Sequence, residues 1–196
     1  MVMKTKISET FPGQSFFSCD AERMYIMDYT NQTKNKKGIE WSDTEPVDIY
    51  PFNVENYSKL NITFCPFKEN TIKLKGDSKE QKHCEGVLFP TKKPDNTWRV
   101  FLELKYPQKK ENLGKLLNEA RKQLISTIDL FRKCEVIEEK RLVYLIFSAP
   151  KYSKFTPFES WLNLEISELK AIRRKKFAIM RGVNKMDVIS DTKIVV

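Results

Sequence analysis

Leu113, Leu116, Leu117, Ala120, Leu124, Ile128 and Phe131 recur at steps of three and four. That spacing places them on one stripe of a helix over 112–133. Residues 141–149 (RLVYLIFSA) form instead a nearly unbroken apolar run, which suits a central strand covered on both faces. Residues 61–67 and 71–75 are short segments rich in β-formers, and 83–89 and 98–106 read as longer strands. The stretch between the last two, PTKKPDNT, is a cluster of turn residues, so they are expected to form a β-hairpin. A second helix is expected from Thr156 to about residue 174. Thr156 can cap it, Pro157 fits the first helical position, and Glu159 completes a capping box. Residues 176–180 and 187–196 read as further short strands. Residues 1–60 carry the weakest pattern, and their apolar stretch from Phe16 to Tyr29 is ambiguous in type.

This order predicts an α/β protein with one mixed sheet flanked by helices. A chain of 196 residues is the size of one domain. The expectation is a single domain over 1–196, with a core over about 60–175 and a less readable region over 1–60. No apolar run approaches the ~20 residues of a membrane-spanning helix, and no secretory signal opens the chain. The four cysteines are widely spaced and the chain has one histidine. That excludes a closely spaced zinc motif and favours reduced thiols in a cytoplasmic protein. There is no P-loop and no Gly-x-Gly-x-x-Gly. A net charge of +9 attracts polyanions, nucleic acid among them.

The hairpin carries the chemistry. With its turn centred near Pro94, residue i faces a residue near 188 − i, and Glu85 falls opposite Glu103. Side chains alternate along a strand, so Glu103 and Lys105 share a face. Two carboxylates opposed across a hairpin repel, and apolar surroundings add a desolvation cost. A divalent cation would offset this, and so in part would Lys105. Gln123 lies within the stripe of the following helix and needs polar partners there. The plain alternative is a solvated face with an ordinary Glu103–Lys105 surface pair.

His83-Cys84-Glu85-Gly86 on the second strand of a meander and Glu103-Leu104-Lys105 on the third resemble the PD-(D/E)XK nuclease superfamily. The likeness covers about residues 70–150, with 71–75 as the first meander strand and the helix and apolar strand following in order. It implies a restriction-endonuclease-like fold and hydrolysis of phosphodiester bonds, of DNA more than RNA. It implies Glu85 and Glu103 as ligands of Mg²⁺ or Mn²⁺, Lys105 assisting the attacking water, and Gln123 beside them. The family usually has aspartate where Glu85 stands. The Pro94-Asp95 dipeptide, at the turn, lies about 26 Å along the strand from Glu103 and cannot serve as that motif. For a further acidic residue the sequence offers Glu55, on a short helix over 54–60, or Glu22. Lys73, Lys75, Lys92, Lys93, Lys109 and Lys110 are the expected phosphate contacts. A homodimer or a partner subunit is compatible with this class. The competing reading is a catalytically inactive nucleic-acid-binding or protein-interaction module on the same fold.

Overall fold

The computed structural model describes residues 3–30, 32, 38–68, 71–72, 82–92, 97–152 and 166–196. Among them are three α-helices, α1 (Met3–Thr10), α2 (Leu113–Lys133) and α3 (Ile166–Lys176). The strands are β1 (Phe17–Cys19), β2 (Arg23–Asp28), β3 (Ile39–Ser42), β4 (Phe52–Asn56), β5 (Ile62–Pro66), β6 (Gly86–Pro90), β7 (Val100–Leu104), β8 (Val143–Ser148), β9 (Ala178–Gly182), β10 (Lys185–Val188) and β11 (Ile194–Val195). They form two mixed sheets, one ordered β1-β5-β6-β7-β8-β9 and the other β11-β10-β4-β2-β3.

In the first sheet β5, β6 and β7 make an antiparallel meander, and β7, β8 and β9 run parallel. The parallel step from β7 to β8 is bridged by α2, as a parallel pair requires a long crossover. Every residue of β5, β6 and β7 is buried. Their alternation sorts side chains to two cores. Val87, Phe89 and Phe101 face a core with Leu117, Ala120, Leu124, Ile128 and Phe131 of α2, and α1 and α3 join it. Leu88, Val100, Leu102 and Leu104 face a second core with Met24, Ile26, Phe52 and Val54 from β2 and β4. The first sheet is thus covered by helices on one face and by the second sheet on the other. The expectation of one mixed sheet flanked by helices is corrected by that second sheet.

Three other local expectations change. Residues 71–72 lie in a turn, not a strand, and Lys73 and Lys75 fall outside the described residues. The first meander strand is β5, from the segment read at 61–67. The stretch over 54–60 is no helix: Phe52–Asn56 is a strand, paired with β2 and β10. The start of the second helix at Thr156 lies outside the described residues, while its second half is α3. Helix α2 matches its expected span, preceded by a 3₁₀ turn at Lys110–Asn112. It ends where Glu135 takes φ +57°, a left-handed residue just past a helix end.

The Arg132 guanidinium ties the ends of three elements together. It donates to the carbonyls of Lys176 (2.6 Å) and Arg141 (3.0 Å). All four cysteines are free thiols. Among the described residues no helix is long and apolar enough to cross a membrane.

Candidate active site

The register of β6 on β7 pairs Gly86 with Leu102 and Val87 with Phe101. This is the 188 − i register expected from the sequence; the ladder ends at the Gly86–Leu102 pair, with Glu85 and Glu103 the next residue on either side of it. The backbone of Glu85 is fixed from both sides. Its N–H donates to Leu102 O (3.0 Å), and its carbonyl accepts from Phe67 N–H (2.8 Å). Gly86 permits this close meander. A Cβ there would lie 2.6 Å from the Cys65 carbonyl oxygen and 2.7 Å from Phe64 Cε2.

Glu103 is wholly buried on the α2 face of β7. Lys105, two residues on, forms an ion pair with its Oε1. Burial pushes the Glu103 carboxyl up to about 7, against the opposing pull of Lys105 and the Glu85 backbone N–H. Burial works against the Lys105 charge too, yet Glu103 outweighs it, with smaller help from Glu85 and Glu119, so Lys105 lies above its ordinary value. The pair therefore holds a permanent cation beside a carboxyl that ionises near neutrality.

Gln123 is the joint of the site. Its Oε1 accepts from Lys105 Nζ (3.0 Å), and its Nε2 donates to the His83 carbonyl (2.9 Å). One turn along α2, Thr127 Oγ1 donates to the Gln123 carbonyl (2.7 Å) and accepts from Cys84 N–H (2.9 Å). The helix thus grips the lead-in to β6 at two successive residues while orienting the lysine. His83 Nδ1 meets the Cys84 carbonyl at 2.8 Å, and its ring stands edge-on to Phe67. The Cys84 thiol is fully buried and held well above its ordinary value, by burial first and the Glu103 charge second, so it is no nucleophile.

Replacing Thr127 by Val removes the acceptor for a buried N–H. Thr127→Val is expected to cost about 1–3 kcal/mol in urea denaturation, with Thr127→Ser keeping most of the stability. A Val variant as stable as the wild type would mean that Cys84 N–H has another acceptor.

These residues open on a cleft of about 1220 Å³ that Glu85, Lys105, Gln123 and His83 line from the sheet and α2. Its opposite wall holds a residue the sequence reading missed. Asp28, the last residue of β2, is only 8% exposed and lines the same cleft. Its Oδ1 accepts from Thr30 N–H (2.8 Å). Burial raises its carboxyl, while Thr30 and the Lys105 charge pull it down. An aspartate inside the apolar run Met24–Tyr29 was the available signal. Glu55, by contrast, pairs with Arg23 at 3.2 Å, at the far end of β2, about 17 Å along the strand from Asp28. Glu22 immediately precedes Arg23 at that same end.

The expected basic residues divide. Lys92 is exposed beyond the other end of β6, about 23 Å along the chain from Glu85, so it does not border the cleft. Lys73, Lys75 and Lys93 lie outside the described residues, as does the side chain of Lys110. Lys109 is exposed, four residues past Lys105 at the site end of β7. Besides Lys105, the described lysines that line the cleft are Lys68, Lys82 and Lys122, all exposed. Lys68 and Lys122 were not singled out by the sequence.

As a donor set, Glu85 and Glu103 offer the carboxylate oxygens that Mg²⁺ or Mn²⁺ takes, and Mg²⁺ keeps several waters beside one or two carboxylates. Among the described residues, no three His, Cys, Asp or Glu side chains converge as a ready ligand group. The chemistry of these donors suits a hard cation. Comparison with protein-family models, with curated proteins and with solved structures finds no match in any of the three.

Proposed function

We propose that this chain is a metal-dependent nuclease that hydrolyses phosphodiester bonds of DNA or RNA on a restriction-endonuclease-like fold. The observation that carries the reading is one cluster: Lys105 paired with Glu103 at the end of β7 and held by Gln123, with Glu85 lining the same cleft as Lys105. The order meander, helix, parallel strand supports the fold, since β5–β7, α2 and β8 follow that order. Two departures are plain: β1–β4 intervene between α1 and the meander, and Glu85 stands where the family usually has aspartate.

Bound between Glu85 and Glu103, Mg²⁺ or Mn²⁺ would polarise a phosphoryl oxygen and acidify water. Lys105 would orient that water and meet the charge that develops on the phosphate. Gln123 keeps the ammonium directed into the cleft, and Phe67 and His83 wall the floor. The competing reading is a binding module without catalysis. It is favoured by the Lys105–Glu103 pair, which occupies one of the two carboxylates.

Labelled DNA and RNA incubated with Mg²⁺ or Mn²⁺ should be cut by the wild type. Cutting should stop with a chelator and with Glu103→Gln, and calorimetry should show Mn²⁺ binding by the wild type alone. No Mn²⁺ binding at millimolar concentration together with no cutting would remove the catalytic reading.

A further inference from the structure

Phe17 sits on β1, the edge strand of the first sheet, and is 45% exposed. Its neighbour Phe16 packs against the helical core, but Phe17 belongs to neither large core. It lines the cleft instead. A half-open phenyl ring in a charged cleft offers a flat apolar face to a ligand.

Around it the charge is graded. Asp28 and Glu85 lie in the less exposed part of the cleft, and Lys68, Lys82 and Lys122 are exposed along it. Cations that track a backbone, beside an aromatic platform for a base, are the combination that holds single-stranded nucleic acid. Duplex bases are already stacked on one another and give Phe17 nothing to stack on.

We infer that the cleft takes an unpaired strand, with a base stacked on Phe17 and flanking phosphates on Lys68, Lys82 and Lys122. The assignment rests on the nucleic-acid reading proposed above and names the substrate class of that site. Phe17 acts in binding and specificity, not in the bond-breaking step.

The test is fluorescence anisotropy of the full chain with a labelled oligonucleotide, in chelator and at low salt. Single-stranded DNA, single-stranded RNA and the matching DNA duplex are compared. A single strand is expected to bind at least about tenfold tighter than the duplex. Phe17→Ala should weaken single-strand binding by about tenfold or more, and Phe17→Trp should restore it. The duplex should respond to neither, and the DNA and RNA arms name the preferred strand. Duplex binding as tight as single-strand binding, or unchanged single-strand affinity in Phe17→Ala, overturns the assignment. Metal-dependent cleavage is read separately in the same preparations. Strand-selective binding without cleavage sinks the nuclease reading and leaves this one standing, and duplex-preferring cleavage does the reverse.

Discussion

Lys105→Met is expected to lower single-turnover cleavage by about 10²–10³-fold, the usual loss when one preorganised donor is removed from a site of developing charge. Oligonucleotide affinity should fall far less, because Lys68, Lys82 and Lys122 remain along the cleft. The expectation follows from how tightly the ammonium is specified. Its backbone N–H is tied to Ser148 O on β8 (2.8 Å), and its Nζ is shared between Glu103 and Gln123 Oε1. Such a group reorganises little when charge appears on a phosphate. Arginine should not rescue, since a planar fork does not reproduce a compact ammonium in a site built around one. Met keeps the length and apolar stem of lysine, so the fold should survive. The variant still leaves Glu103 buried without its cation, which costs several kcal/mol where that carboxyl is ionised. Without the downward pull of Lys105 the carboxyl is raised further than in wild type, so the variant should lose more stability than wild type between pH 5.5 and pH 8. Thermal melts at the two values separate lost folding from lost chemistry. A folded Lys105→Met that cuts like the wild type would move the chemistry elsewhere.

The parts of the site that were legible in the sequence are those fixed by local periodicity. The PTKKPDNT turn and the alternation on either side set the β6–β7 register, which holds as far as the Gly86–Leu102 pair. The helical stripe placed Gln123 within it, in need of polar partners, and it meets Lys105 there. The second sheet was not legible. Its strands are short, and β4 finds its parallel partner β10 from the far end of the chain, a pairing that leaves no local pattern. Asp28 was lost with it, and with Asp28 the whole opposite wall of the cleft. Lys92 was misplaced for a related reason: a lysine in a turn marks solvent wherever that turn falls, and Lys92 lies beyond the end of β6 that points away from the site. Lys122 joins the cleft because α2 packs across β7.

The second large expectation concerns pH. In the folded chain Glu103 ionises at about 7, against 4.5 for an ordinary glutamate, with burial as the leading cause. A carboxyl raised in the native state binds more protons there than in the unfolded chain, so its contribution to stability is complete below about 4.5. It is lost as pH rises through about 7. The displacement corresponds to a decline on the order of 3 kcal/mol across that window. Asp28 is also raised by burial and adds a slope of the same sign, so the wild-type curve alone does not isolate Glu103. The difference between wild type and Glu103→Gln does. Urea denaturation from pH 4.5 to 8 should show wild type losing stability relative to Glu103→Gln up to about pH 7, with the two curves parallel above that. Parallel curves over the whole range would mean that Glu103 ionises in the folded chain as it does in the unfolded one. The same ionisation that weakens the fold gives the cleft its second carboxylate, so the conditions that favour charge at the site are those under which Glu103 contributes least to holding β7 in place.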